Sequence, residues 1–199
     1  MAVPFVGLTG GLGAGKSTAL AALGRLGAAV LSTDAVVHEL YAGEQLRDAV
    51  VERWGQAVAP DGVVDRSAVA RRAFSQEEDR EWLEGLLWPL VEARVAVWLA
   101  QVRAGQASPR GPRAAVVETP LLFEAGMEGS YDATIAVISD EQLRQERAAA
   151  RGHARLDERA ARQLSQQEKA RRATFVVRND GTEGDLEREL SAVLDKLER

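Results

Sequence analysis

The chain has no cysteine, which excludes a disulfide framework and any thiolate-held metal. Lysine is scarce: Lys16, Lys169 and Lys196 are the only three among 25 basic residues. A lysine inside a motif therefore stands out. No apolar run reads as long enough to span a bilayer, which takes about 20 residues, so no membrane partner is expected. The first apolar run has no basic region before it. That pattern predicts no secretory signal and a cytosolic location. The two histidines, His38 and His153, are isolated, and neither has the partner spacing of a metal site. The net charge of −5 argues against a nucleic-acid binder held mainly by phosphate contacts.

What remains is an ordinary soluble composition over 199 residues, enough for one domain with a sizeable core plus insertions. The charge is uneven. Between Arg144 and Arg172 stand nine basic and four acidic residues, a positive segment on an acidic chain. Such a cluster suits a substrate with several negative charges.

The chain is organised around Gly10-Gly11-Leu12-Gly13-Ala14-Gly15-Lys16-Ser17, which fits G-x-x-x-x-G-K-[ST] without a mismatch. An apolar run over 3–8 precedes it and reads as a buried strand. An Ala/Leu-rich stretch over 18–26 follows and reads as a helix. Strand, glycine loop and helix together are the context of a phosphate-binding loop. Glycines let backbone N–H groups approach phosphate oxygens closely, and the helix N-terminus adds partial positive charge. Here the backbone of Gly13, Ala14, Gly15, Lys16 and Ser17 would cradle the triphosphate. Lys16 would reach its β/γ-phosphates, and Ser17 would ligate Mg²⁺.

Further along, 28–31 is a second strand, ending at Ser32-Thr33-Asp34. Ligands of open α/β sheets sit at the carboxyl ends of strands, which favours Asp34 facing the phosphates. As N-cap of a helix over 35–41 it has an equally good structural explanation. Residues 44–103 read as mostly helical: 45–54, then a turn at Asp61-Gly62, a helix from Asp65-Arg66-Ser67 to Phe74, and another over 76–87. Ser75 is its expected cap, with Glu78 at the capping-box position, and Pro89 is expected to kink or restart it. This insertion either holds a second substrate or only packs. Strand three is predicted over 114–117, ending in Glu118-Thr119-Pro120-Leu121-Leu122-Phe123-Glu124, with Glu118 placed to organise Mg²⁺. Strand four covers 133–138. A helix over 140–151 aligns Arg144, Arg147 and Arg151 on one face. A short helix over 157–164 carries Arg159 and Arg162. The two resemble a lid that closes over phosphates. A last strand over 174–177, a turn at Asn179-Asp180-Gly181 and a closing helix over 185–197 complete the chain.

Phosphoryl transfer needs positioning, charge neutralisation and a base for the attacking hydroxyl. Asp34 is the best general base by its place in the topology.

The residues resemble the dephospho-CoA kinase family over nearly the whole chain. The carrying stretches are Leu8 to Thr18, Asp34, Asp65-Arg66, Pro120 to Glu124, then Arg147, Arg151, Arg159, Gln163, Lys169, Asn179 and Gly181. The resemblance implies an α/β fold: a P-loop kinase-type parallel sheet flanked by helices, with a helical insertion and an arginine-rich lid. The core would comprise 1–43, 104–140 and 171–199, the acceptor-binding insertion 44–103 and the lid 141–170. It implies transfer of phosphate from ATP, with Mg²⁺, to the ribose 3′-hydroxyl of dephospho-CoA, the final step of CoA synthesis. Asp34 would be the base, with Lys16, Arg147 and Arg151 at the transferred phosphoryl group. Thr18, Arg159 and Asn179 would join the loop around the nucleotide, and Asp65, Arg66 and Leu122 would meet the acceptor. A nucleoside monophosphate kinase is the rival enzyme, for which Asp34 would be idle. A nucleotide switch lacks support, since no Asn-Lys-x-Asp string occurs. Five residues, in four stretches, depart from the family pattern. Glu118 stands for Asp, Ser32-Thr33-Asp34 for Asp-Ala-Asp, Trp88-Pro89 for His-Pro, and Thr174 for Asp. Trp88 would offer an aromatic surface or simply pack.

Overall fold

The structure is a computed structural model describing residues 2–105, 111–150 and 163–198. It divides into two compact units, residues 1–32 with 99–199, and 33–98.

The first unit is built on a five-stranded parallel sheet: β1 (Phe5–Gly10), β2 (Ala29–Ser32), β3 (Ala115–Glu118), β4 (Ala133–Ile138) and β5 (Phe175–Arg178). Their order is β2-β3-β1-β4-β5. All pairings are parallel. β1 is central and every one of its residues is buried. This explains why it reads as a continuous apolar run rather than an alternating one. Helices α1 (Lys16–Arg25) and α8 (Glu183–Leu197) join the sheet in one core. Along α8, Leu186, Leu190, Val193 and Leu194 recur at helical spacing and are buried, each leucine contributing about 1.5–3 kcal/mol. A reciprocal capping box starts this helix. The Thr182 hydroxyl accepts from the Asp185 amide, and the Asp185 carboxylate accepts from the Thr182 amide.

Two further α-helices lie wholly within the described part of this unit: α6 (Glu141–Ala150) and α7 (Gln166–Arg172). The pattern of the sequence does not announce α7, whose Ser165–Glu168 capping box is evident once the helix is seen. The short helix expected over 157–164 falls largely outside the described residues, as do Arg151, His153 and Arg159.

The second unit contains α2 (Thr33–Tyr41), α3 (Glu44–Trp54), α4 (Arg66–Ala73) and most of α5 (Glu77–Arg103). Leu46, Val50, Val58, Val69, Ala73 and Leu83 form its core. Trp54 meets Trp82 edge-on with ring centroids 5.1 Å apart.

Three expectations change here. First, α5 runs unbroken for 27 residues with Pro89 inside it. Proline removes one intrahelical donor, and the bonds on either side carry the helix through. Second, this continuity joins two apolar segments. By length and composition alone α5 is therefore long and apolar enough to cross a membrane, although the stretch holds the charged Glu92 and Arg94. Third, the Ser75 hydroxyl donates to the Arg72 carbonyl at 2.7 Å, so it closes α4 instead of capping α5. Trp88 is 53% exposed and does not pack in the core.

Candidate active site

The loop between β1 and α1 is held in shape by its glycines. Gly13 (φ +79°) and Gly15 (φ +93°) occupy left-handed backbone, which costs other residues strain. Space forbids a side chain as well. A Cβ on Gly13 would stand 2.4 Å from the Arg144 carbonyl oxygen, and one on Gly15 would stand 2.0 Å from Asn179 Nδ2. Lys16 Nζ lies over the loop, donating to the Gly10 and Gly11 carbonyls at 3.1 Å each. Ser17 is exposed in the first turn of α1. A glycine-shaped backbone, a helix N-terminus and one ammonium meet here, the make-up of a phosphate cradle.

The rest of the first unit fastens that loop. Asn179 Nδ2 donates to the Ala14 carbonyl at 2.9 Å. The Asn179 carbonyl in turn accepts from Arg147 Nη1 at 2.9 Å. Arg147, Asn179, Gly15, Thr18, Gly181 and Glu183 line a cavity of about 220 Å³. The structure thus brings together the predicted Gly15, Thr18, Arg147 and Asn179. It also adds Arg144, which the sequence pattern placed on the arginine face without a particular role. Arg144 Nη1 donates to the Leu12 carbonyl at 3.1 Å, and Glu141 holds the same guanidinium. The Arg144 pairing keeps the Glu141 carboxyl below its usual range.

Glu118 ends β3 and is 6% exposed. It lies in register with Ser32 of β2, and Ser32 Oγ donates to Glu118 Oε2 at 3.0 Å. Two departures from the family pattern therefore meet each other. Serine beside glutamate gives one charge and one hydrogen bond where two aspartates would give two adjacent negative charges. Thr174, another departure, exchanges hydrogen bonds with Thr134 at 3.0 Å in both directions. Among the described residues no group of three or more acidic or histidine side chains forms a metal cage. The Ser17 hydroxyl and the Glu118 carboxylate are hard oxygen donors. Two such donors fit Mg²⁺, which keeps waters and takes further ligands from substrate phosphates.

Behind the loop lies an ion pair that the sequence did not suggest. Lys169 is fully buried, with its Nζ 2.9 Å from Glu124 Oε1. The same ammonium donates to the Pro120 carbonyl at 2.7 Å and to Thr9 Oγ1 at 3.3 Å. Glu124 also accepts the Leu164 amide at 2.8 Å. Burial pulls the Lys169 ammonium below its ordinary value, and Glu124 opposes that shift. Through these contacts the Pro120-to-Glu124 string and the distant Lys169 act together. They join the end of β1, the turn after β3 and the start of α7.

Leu122 requires a correction. It is completely buried, and its Cδ1 fills the space above Gly7. It supports β1 and presents no surface to an acceptor.

In the second unit Asp34 lies in the first turn of α2, which begins at Thr33. It is therefore inside the helix rather than its N-cap, and its side chain is exposed. Asp65 is the N-cap of α4, accepting from the Ser67 and Ala68 amides at 2.9 and 3.1 Å. Arg66 Nη1 lies 2.7 Å from His38 Nδ1, and its guanidinium sits over the Tyr41 ring, 5.7 Å from the centroid. Burial raises the Tyr41 phenol, and the Arg66 charge opposes that shift.

A parallel sheet with a glycine cradle, an adjacent lysine and arginine-bearing flanks defines a P-loop kinase. Residues 4–185 match the family described as Dephospho-CoA kinase. The chain belongs to the dephospho-CoA kinase family. It is 38% identical over 196 residues to the dephospho-CoA kinase of Deinococcus radiodurans, covering 97% of this chain and 92% of that one. With the Moorella thermoacetica dephospho-CoA kinase it shares 39% over 185 residues, covering 92% and 85%. A crystal structure from Thermus thermophilus superposes with a TM-score of 0.80 at 34% identity, covering 99% of both chains.

Proposed function

We propose that this protein transfers the γ-phosphoryl group of ATP to the ribose 3′-hydroxyl of dephospho-CoA, giving CoA and ADP. The observation that carries the reading is the cradle at Gly13 and Gly15, where any Cβ would collide with neighbouring atoms, in a chain of this family. Its backbone N–H groups bind the β/γ-phosphates. Lys16 exchanges its two loop carbonyls for phosphate oxygens. Arg147, with Arg151 and Arg159 outside the described residues, neutralises charge that develops on the migrating group. Thr18 and Asn179 line the nucleotide side of the cradle. Ser17 and Glu118 would hold Mg²⁺, which when bound neutralises phosphate charge.

Asp34 takes the proton from the 3′-hydroxyl. The oxygen then forms a bond to the γ-phosphorus as the bond to the β-phosphate bridging oxygen breaks, and that oxygen leaves with the electron pair on ADP. Residues 44–103 hold the acceptor through Arg66, whose helix Asp65 starts. Residues 141–170 close over the phosphates and exclude water.

A coupled assay with ATP, Mg²⁺ and dephospho-CoA tests this. ADP release should require dephospho-CoA, and the product should carry its new phosphate at the 3′ position. Equal turnover with a nucleoside monophosphate, or phosphate at another position, would overturn it.

A further inference from the structure

Arginines of the second unit commonly meet a carboxylate: Arg53 pairs with Asp79 at 2.8 Å and Arg80 with Glu77 at 3.0 Å. Arg66 does not. Among the described residues its partners are a histidine nitrogen and an aromatic ring, and no carboxylate lies within ion-pair distance. Its charge is held in place without being neutralised. An exposed guanidinium in that state is an anion receptor.

The helix that supplies both partners also carries Asp34. Asp34, His38 and Tyr41 stand at i, i+4 and i+7 of α2, the spacing of one helix face. A guanidinium only donates, so in the contact at 2.7 Å the Arg66 Nη1 group is the donor and His38 Nδ1 the acceptor. A protonated ring could not accept that bond.

We propose that His38 is a positioning residue. By accepting from Arg66 while Tyr41 supports the guanidinium from its ring face, it aims Arg66 at a phosphate of the acceptor, along the helix face that carries Asp34. This rests on the reading of Arg66 as an acceptor contact. The effect of His38 is on acceptor binding: a loose guanidinium has to be ordered each time the acceptor binds, and a held one does not.

The test uses the full-length protein. His38→Ala should weaken dephospho-CoA binding, measured by titration calorimetry without nucleotide, by about five- to tenfold, the effect of one hydrogen bond. The KM for dephospho-CoA should rise in step. The kcat, the Kd for ADP and the melting temperature should stay near wild type. His38→Gln, whose side-chain oxygen can accept from a guanidinium, should recover most of the loss. His38→Lys, which cannot accept, should not. An unchanged acceptor Kd in His38→Ala overturns the proposal, as does an equal loss of ADP affinity or no recovery in His38→Gln. Failure of the underlying reading is distinct: Arg66→Ala would then leave acceptor binding intact, or the unmodified protein would not bind dephospho-CoA.

Discussion

Replacing Lys169 with methionine removes a fully buried ammonium and leaves a carboxylate behind. Glu124 would lose its 2.9 Å ion pair and, among the described residues, keep only the Leu164 amide, with a side chain 13% exposed. Breaking a buried pair from one side costs about 3–5 kcal/mol, because the surviving charge has no compensation. The Pro120 carbonyl loses its 2.7 Å donor but keeps the Thr9 hydroxyl at 3.2 Å, so this second loss is partial. At about 2–4 °C per kcal/mol for a chain of this size, the melting temperature should fall by about 10 °C. Adding Glu124→Gln to Lys169→Met removes the stranded charge and should recover most of the loss. Guanidinium unfolding followed by circular dichroism, on both single variants and the double, gives the coupling. The pH dependence supplies a separate check. Lys169 has a folded pKa below its unfolded 10.5, so between the two values the unfolded chain holds more protons. Stability therefore rises with pH across that window. Glu124→Gln removes the group opposing the shift, so the window should widen toward lower pH. A loss under about 1 kcal/mol in Lys169→Met, or simple additivity in the double variant, would refute the reasoning.

Gly15→Ala should abolish nucleotide binding by calorimetry, since its Cβ would meet Asn179 Nδ2 at 2.0 Å in left-handed backbone. Gly24→Ala, with nothing nearer than 3.5 Å, should bind normally. Asp34→Asn should lower kcat by about 10²–10⁴-fold, the range for a lost general base, while the Kd for ATP stays unchanged. The Asp185 carboxyl is held below its ordinary value of 3.8 by hydrogen bonds from Thr182. Its stabilising contribution is present above that value and lost as pH falls through the folded pKa. Asp185→Asn should therefore lower stability at neutral pH and flatten the decline below about pH 4, as thermal melts across pH would show.

The parts legible in the sequence share a property: their cause is local. The cradle is a run of eight neighbouring residues, and its glycines are required by the backbone angles of the loop itself. The strands are short apolar runs because a parallel sheet buries both faces. All five lie within two residues of their predicted bounds. Pro89 does not restart the helix, because the single donor it removes is outweighed by the turns on either side of it. Leu122 misled because a motif position carries no record of whether its side chain faces a ligand or the sheet.

The tertiary structure decided what depends on residues distant in the chain. Lys169 and Glu124 are 45 positions apart, and nothing in either neighbourhood marks them as partners. Ser32 meets Glu118 across 86 positions because β2 pairs with β3, a register that strand propensity does not encode. His38 looks solitary in the sequence, yet the return of α4 places Arg66 against it. The sequence alone determined the glycine loop of a P-loop kinase, since its backbone geometry follows from neighbouring residues. Which side chains hold that loop, and which hold the charge of Arg66, was decided only when folding brought separate segments within hydrogen-bond distance.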